Sequence, residues 1–313
     1  MKKKNVARKD TVKAGGGADF PYFTFSRYLR EQFGTSVRKI PLDAGFSCPN
    51  RDGRLGTEGC VFCDAEGGTG RRNQAGVSVW DQLRRALEFR GVCHPDQKYL
   101  AYFQSFTNTD ASVAKLRKLY ESVLGDPRVA GLVVSTRPDC LPDAVVDLLK
   151  ELAGRTWVSV EMGVQSMRDV TLGRIGRGHD SKAVRDAVIR CREAGLFVCA
   201  HVILGLPGET LEDWVYTARE LGMLSVDAVK LHMLYVVENS PLARLFTKGE
   251  IRLLERDEYV RGAVAFLQNL PEGTVIERLV SDPPRDRFLG PQWLLDKHGI
   301  LADIRSGLEA TTS

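Results

Sequence analysis

The sequence predicts an α/β fold in which six parallel strands form an incomplete barrel followed by a C-terminal α/β extension. The first observation is that strand-like and helix-like segments alternate about six times between residues 21 and 240. Such alternation is typical of parallel strands joined by right-handed helical crossovers, in an open sheet or in a barrel. The second observation, that three successive strands have one apolar and one polar face, favours the barrel.

The predicted strands are short runs rich in β-branched residues, and amphipathic helical patterns lie between them. The strands are at 37–42, 98–104, 131–136, 157–164, 197–204 and 227–234, and the helices at 79–91, 110–124, 142–153, 181–194 and 209–223. The regular alternation of strands and helices ends near residue 240. Beyond it we predict a helix at 255–269, a strand at 274–280 and a last helix at 291–308. We therefore predict a core barrel at 21–240 and a C-terminal extension at 241–313.

Polar side chains recur on one face of the fourth, fifth and sixth strands. Glu161 and Gln165 alternate with valines, Cys199 and His201 share a face, and Lys230 and His232 oppose apolar neighbours. An open doubly wound sheet buries both faces and is apolar on both, whereas a barrel with a wet lumen shows this asymmetry. Buried charges cost several kcal/mol unless they are paired. Glu161, Lys230 and His232 are therefore either substrate ligands or a satisfied internal cluster.

The charge of the chain is concentrated at its start. The net charge is +4, and the first 20 residues carry six Lys/Arg and two Asp, so the remainder holds 38 basic and 38 acidic residues. The zero net charge of the chain after residue 20 does not support strong electrostatic binding of nucleic acid. Residues 1–20 are predicted to be a disordered basic leader, and no apolar core follows it as in a secretory signal. No stretch has the roughly 18 apolar residues that span a bilayer, so we expect a cytoplasmic protein.

Three of the seven cysteines cluster in the segment GFSCPNRDGRLGTEGCVFC, which follows the first predicted strand. Cys48, Cys60 and Cys63 have the spacing C-x11-C-x2-C, and the odd, scattered total argues against a disulfide framework. A C-x2-C loop commonly holds a metal, and three thiolates without an evident fourth suit a [4Fe–4S] cluster with one open iron. A structural zinc site with a distant fourth ligand and a chance group of free thiols remain alternatives. Cys140 and Cys199, near strand ends, are either redox or radical partners or small apolar fillers.

Several motifs, in the same order, resemble the radical SAM superfamily and in particular its bacterial YhcC/YtqA type, which is related to the catalytic subunit of the Elongator complex. The resemblance runs from about residue 23 to 308. Its motifs are the cysteine triad, YFQSFTNT (102–109), STRPD (135–139), EMGVQS (161–166), RIGRGHD (174–180), HVILGLPGE (201–209) and PPRDRFLGPQW (283–293). The interval of eleven residues between the first two cysteines departs from the usual three, as in Elongator-like members.

This resemblance implies a radical enzyme that uses a [4Fe–4S] cluster and S-adenosylmethionine, supplied with electrons by a donor of the flavodoxin or ferredoxin class. It places Gln165 and Arg177 at the methionyl and ribose groups of S-adenosylmethionine. A guanidinium suits the methionyl carboxylate, although Arg177 is also compatible with a solvated helix end. Ser135 stands where relatives commonly have a ribose-binding Glu.

The remaining cofactor positions also come from the resemblance. Gln104 and Ser105 replace a Gly pair whose backbone binds the methionyl amine, so only a backbone role carries over. Phe62 either packs on the adenine or is a hydrophobic plug. His201 and Ile203 occupy the stretch that flanks ribose and adenine.

The substrate is left open by the sequence. Kinship with Elongator suggests tRNA or another RNA, and a small molecule or a protein is the other possibility. The chain ends before an acetyltransferase domain could follow the barrel, so acetyl transfer is not expected. The alternatives are a non-catalytic zinc or iron–sulfur protein and a zinc hydrolase, which the absence of H-x-H and H-E-x-x-H motifs disfavours. Nothing in the sequence indicates the oligomeric state.

Overall fold

The computed structural model describes residues 20–64, 76–91 and 96–310. The predicted basic leader lies outside these residues apart from Phe20, as does Cys93.

Seven parallel strands form one curled sheet in the order β1-β2-β3-β4-β5-β6-β8. Its first six strands confirm the six predicted, and the seventh comes from the strand predicted at 274–280. The bounds are β1 Val37–Leu42, β2 Lys98–Phe103, β3 Val129–Thr136, β4 Trp157–Gln165, β5 Phe197–Leu204, β6 Ala228–Met233 and β8 Val275–Arg278. Two short strands, β7 Val236–Val237 and β9 Phe288–Gly290, pair antiparallel beside this sheet.

The sheet is curled enough to bring its first and last strands together across the lumen. Lys39 on β1 forms an ion pair with Glu277 on β8, with Nζ and Oε2 2.7 Å apart. These two strands are the edges of the sheet and do not pair through their backbones in the described residues. The sheet is therefore a half-barrel whose edges face each other, as the polar inner face of the strands predicted.

The helices pack mainly on the outer face of the sheet, where they bury one large apolar core. Their bounds are α1 Phe25–Phe33, α2 Val79–Gly91, α3 Val113–Ser122, α4 Asp143–Ala153, α5 Asp169–Arg174, α6 Ser181–Glu193, α7 Leu211–Met223, α8 Pro241–Thr247, α9 Arg256–Gln268 and α10 Lys297–Ala310. The predicted helices 110–124 and 291–308 begin later, because 3-10 turns or caps precede them. Among the described residues, none of the helices has the length and apolarity needed to cross a membrane.

Helix α1, which the sequence did not reveal, closes the amino-terminal end of the barrel. Thr24 caps it by accepting a hydrogen bond from the Arg27 amide, as a Thr at this position favours. Its Tyr28 packs against Phe197 at the start of β5, with ring centroids 4.9 Å apart, and receives a hydrogen bond from Trp157 at the start of β4. The apolar plug closes the amino-terminal end of the barrel, and the polar lumen opens toward the carboxyl ends of the strands.

Candidate functional site

One cavity of about 550 Å³ occupies the lumen and the carboxyl ends of the strands. This volume is in the range of cofactor and substrate pockets, and the carboxyl end is where barrels place their active sites. Side chains from all seven strands of the curled sheet and from the loop after β1 line it. They include all three clustered cysteines, five arginines, two lysines and two histidines.

The loop after β1 carries the cysteines and is folded by its own backbone. Cys48 accepts hydrogen bonds from the amides of Arg51 and Asp52, and the Cys63 amide donates to the Cys60 carbonyl at 2.9 Å. Gly59 has a φ of +82°, and a Cβ there would lie 2.8 Å from the Arg51 guanidinium. This glycine therefore lets Arg51 cross the loop, where it donates to the Cys63 carbonyl at 3.1 Å.

The three thiols line the same cavity, but they do not yet converge on one point. Within the parts of the chain that the structure describes, no three Cys, His, Asp or Glu side chains stand close enough to hold a metal ion. Burial raises the pKa of Cys63 to about 11, although the Arg51 charge opposes that rise. Iron binds the thiolate, so loading the site would release protons.

Asn50 and Arg137 tie the cysteine loop to the loop that carries Arg177. The Asn50 amide donates to Cys60 Sγ at 3.2 Å and to the Gly176 carbonyl at 2.8 Å. Arg137 Nη2 donates to the Arg177 carbonyl at 2.8 Å and also to Asp139, to which Nε of the same guanidinium donates as well. These contacts join the C-x2-C loop, the loop after α5 and the turn after β3.

The Arg177 side chain lies between the cysteines and the end of β4. Its Nη1 is 3.6 Å from Cys60 Sγ, its Nη2 donates to the Gly163 carbonyl, and its Nε is buried without a partner among the described residues. A Cβ on Gly163 would lie 2.5 Å from Nη2, so this glycine makes room for the Arg177 guanidinium.

The backbone is strained at Gln165, which lies just beyond a bulge in β4 and has a φ of +70°. Such strain costs about 1–3 kcal/mol and is concentrated at functional sites.

The lower part of the lumen is a compact ion cluster, which we call the floor: Lys39, Tyr102, Glu161, His201, Lys230 and Glu277. Glu161 is its centre, and its side chain is fully buried. It pairs with Lys39 and with Lys230 (3.0 Å), and accepts from Tyr102 at 2.7 Å and from His201 at 2.6 Å. With two ammonium groups and two carboxylates, the floor is electrically balanced.

The pKa shifts of the floor follow from this balance. Burial alone would raise the pKa of Glu161, but Lys230, Lys39 and His201 outweigh it and hold the pKa well below its ordinary value. Burial lowers the pKa of Lys230, and the carboxylates of Glu161 and Glu277 more than compensate and raise it to about 12. Against burial, the opposite charges likewise raise the pKa of Lys39 and lower the pKa of Glu277. All four charges therefore persist at neutral pH, which makes the floor a satisfied internal cluster.

We predict a pH-dependent contribution of Glu161 to stability. Because its folded pKa lies below the unfolded value near 4.5, the carboxylate stabilises the fold above about pH 4.5, and this stabilisation is lost as the pH falls through the folded pKa. The free energy of unfolding of wild type should therefore exceed that of Glu161→Gln by a constant amount from pH 8 to about 5.5 and by less below about pH 4.5. Denaturant titrations of both proteins measure it, and a difference that grows on acidification would contradict the assignment.

Six of the eight residues predicted to bind S-adenosylmethionine line the cavity, and two do not. Those on its wall are Phe62, Gln104, Ser135, Gln165, Arg177 and His201. Ile203 packs instead in an apolar cluster with Leu172 and Leu206, and Ser105 is buried with its carbonyl accepting from Asn108. The cofactor-binding roles of all eight residues remain predictions.

The predicted lumen residues Glu161, Lys230 and His232 also line the cavity. Cys199 sits beneath the floor, with Sγ 3.8 Å from Glu277, and Cys140 lies in the turn after β3, where burial raises its pKa to about 12. Sequence reasoning missed Lys39, Tyr102 and Glu277. The alternation of Lys39 with Ile40 in β1 and of Tyr102 with Phe103 in β2 indicates that these strands also have one polar face and one apolar face.

The chain belongs to the radical SAM superfamily. The family described as "Radical SAM superfamily" matches residues 52–221, and "Radical_SAM C-terminal domain" matches residues 226–310. The fold, a curled parallel half-barrel with the cysteines at its carboxyl end, agrees with this assignment. The protein is therefore a radical SAM enzyme, whose cofactors are a [4Fe–4S] cluster and S-adenosylmethionine.

The chain is also similar to particular proteins of known sequence or structure. YtqA of Bacillus subtilis is 39% identical over 92% of this chain and 89% of its own length. A tRNA uridine(34) acetyltransferase of Methanocaldococcus infernus is 27% identical over 50% of this chain, which spans 29% of that protein. The structure of Elp3 from the same archaeon has a TM-score of 0.64 at 17% identity, covering 88% of this chain and 63% of that one. The chain thus spans less than two thirds of the acetyltransferase and of the Elp3 structure.

The residues present fit the cofactors of the family. Three soft thiol donors line one wall of the cavity, in a set that suits iron–sulfur clusters. Beside them, the buried Arg177 Nε has no hydrogen-bond partner among the described residues, and a buried unsatisfied donor costs about 1–3 kcal/mol. A carboxylate entering the cavity would satisfy this donor.

Proposed function

We propose that Cys48, Cys60 and Cys63 hold the cluster and leave one iron open for S-adenosylmethionine. The observation that carries this proposal is that these three thiols, among the described cysteines, line the cavity, while Cys140, Cys191 and Cys199 do not. When bound, the cluster supplies the electron that cleaves the sulfonium to methionine and a 5′-deoxyadenosyl radical. Asn50 and Arg177 then stabilise the Cys60 thiolate through N–H donation.

The surrounding residues orient the cofactor and exclude water. We propose that Arg177 pairs with the methionyl carboxylate, and that Gln165 and Ser135 bind the methionyl and ribose groups. Phe62 and His201 line the same cavity and would border the adenosine. The neutral floor, which includes His201, is covered by α1 at the amino-terminal end of the barrel, and this limits the access of water to a radical.

Arg177→Ala tests the proposed carboxylate contact. Since charge-assisted hydrogen bonds contribute about 1.5–3 kcal/mol, we expect the affinity for S-adenosylmethionine to fall by roughly 10- to 100-fold. Iron and sulfide content should stay near the wild-type value, because all three thiols remain. Calorimetry on reconstituted protein measures the affinity, with Arg174→Ala as the matched control from the same segment. An unchanged affinity would remove Arg177 from the site.

We propose RNA, and tRNA in particular, as the substrate. Support comes from the similarity to a tRNA uridine(34) acetyltransferase and from the arginines around the cavity. Mass spectrometry of the nucleosides in tRNA from a deletion strain and its parent tests this directly. The proposal predicts one modified nucleoside that is lost on deletion and restored by the intact gene but not by a Cys60→Ser copy. Identical nucleoside profiles would contradict an RNA substrate.

A radical SAM enzyme needs an electron donor, and we propose a low-potential flavodoxin or ferredoxin. We also propose the cytoplasm as the compartment, since the described cysteines are free thiols and reducing compartments maintain free thiols. Reduction of the reconstituted protein by purified flavodoxin with its reductase, followed by 5′-deoxyadenosine formation, would support the donor class. Absence of turnover with both donor types, in protein that dithionite activates, would count against it.

A further inference from the structure

Arg90 is a cation on the cavity wall, and the part of the chain that the structure describes offers it no counter-charge. It is at the end of α2, and its Nη1 donates to the backbone carbonyl of Lys39 on β1 at 3.3 Å. In the described ranges, no carboxylate lies within 4 Å of its guanidinium, and the nearby floor is already balanced by its own carboxylates. Arg90 therefore adds a net positive charge at the β1 edge of the half-barrel.

Arg278 adds a second cation at the opposite edge. It is the last residue of β8, its side chain is 35% exposed, and it lines the same cavity. Its nearest carboxylate, Asp282, is 3.3 Å away and is shared with Lys297, which binds it more closely at 2.7 Å. Two cations thus share one carboxylate, and the β8 edge also carries excess positive charge.

Inside the cavity, the Nε2 atom of His232 lacks a hydrogen-bond partner among the described residues. This atom is buried, and the ring of His232 lies 5.4 Å from that of His201. Burial, reinforced by the charges of Arg278, His201 and Lys230 and opposed by Glu161, holds the pKa of His232 well below its ordinary value. A neutral imidazole offers one donor and one acceptor, so this part of the cavity suits a polar ligand group.

We propose that Arg90 and Arg278 bind backbone phosphates of the RNA substrate at the β1 and β8 edges of the half-barrel, while the nucleotide between them enters the cavity toward His232. This inference rests on the proposed RNA substrate. The guanidinium fork matches a phosphate through two parallel hydrogen bonds. A polynucleotide supplies a phosphate on each side of an inserted nucleotide, whereas a single carboxylate would engage one edge only. The local excess of charge at these edges coexists with the neutral total of the chain.

Fluorescence anisotropy with unfractionated, 3′-labelled tRNA from a deletion strain tests this proposal on reconstituted enzyme with S-adenosylmethionine. The double variant Arg90→Ala/Arg278→Ala should bind at least tenfold more weakly than wild type. Each lost phosphate contact lowers the slope of log affinity against log salt by about 0.7–0.9, so the slope should fall by roughly 1.4–1.8. The control is Arg84→Ala/Arg305→Ala, which removes the same charge from α2 and from the C-terminal region, at side chains that do not line the cavity. The control should bind within twofold of wild type.

Folding of both double variants is verified by far-ultraviolet circular dichroism and by iron and sulfide content after reconstitution, each of which should match wild type. If Arg90→Ala disturbs folding, Arg278→Ala alone should still weaken binding at least threefold and lower the slope by about 0.7–0.9. Equal losses in test and control variants, or unchanged binding in both, would overturn the phosphate sites and leave the RNA substrate standing. Wild-type enzyme that does not bind tRNA would overturn both.

Discussion

Replacing Cys60 by Ser should abolish cofactor cleavage. Cys60 is the most deeply enclosed of the three thiols, and it accepts N–H donation from both Asn50 and Arg177. Losing a ligand should reduce 5′-deoxyadenosine formation by more than the roughly 10- to 100-fold that the loss of a supporting residue costs. Iron content, the absorbance near 400 nm and 5′-deoxyadenosine by liquid chromatography measure the effect on anaerobically reconstituted protein.

Cys140→Ser is the matched control for this substitution. Cys140 is also a free thiol at the carboxyl end of a strand, yet it lies off the cavity wall. We expect its iron content and activity to stay within twofold of wild type. If Cys140→Ser and Cys60→Ser behave alike, the ligand assignment is wrong. A colourless wild-type protein that retains one zinc would instead favour a structural metal site.

Replacing Glu161 by Ala should produce the largest loss of stability. The substitution leaves the Lys230 ammonium, which is buried, without one of its two carboxylates, and it removes acceptors from Tyr102 and His201. Breaking a buried ion pair from one side costs about 3–5 kcal/mol, because the remaining charge is uncompensated. The free energy of unfolding, from anaerobic denaturant titration, should fall by that amount.

A charge-balanced double variant separates electrostatics from packing. In Glu161→Gln/Lys230→Met, Lys39 and Glu277 remain as a pair at 2.7 Å, so the floor has no net charge. We expect this variant to recover at least half of the stability lost in Glu161→Ala, since neutral replacements of buried pairs are often tolerated. If it is less stable than Glu161→Ala, charge balance is not what makes the floor stable.

The barrel was predictable because strand periodicity and crossover rules act locally. The valines that alternate with Glu161 mark β4 as having one polar face, and that face is the lumen. The plug α1 was not predictable, because Tyr28 and its neighbours bury their rings largely against Trp157 and Phe197, more than 120 positions away in the chain. Local patterns do not encode such contacts.

The site was predicted in part, for a similar reason. The cysteine spacing singled out the three thiols, and the motif around Arg177 pointed to the same region. The full floor depends on Lys39 and Glu277, which lie on opposite edge strands and meet only when the sheet curls. The net charge of residues 21–313 is zero and does not reveal the cations Arg90 and Arg278 at the β1 and β8 edges, because a sum over the chain does not show where charges lie.

Central to all of these expectations is one iron of a three-thiolate cluster that remains open to S-adenosylmethionine. Electron–nuclear double resonance tests it most directly, on reduced, reconstituted protein with cofactor carrying 15N in the amine and 17O in the carboxylate. We predict hyperfine coupling of both the 15N and the 17O label to the cluster. In Arg177→Ala the coupling of the 17O-labelled carboxylate should disappear. A fully loaded cluster with a spectrum that the labelled cofactor leaves unchanged would contradict the open iron.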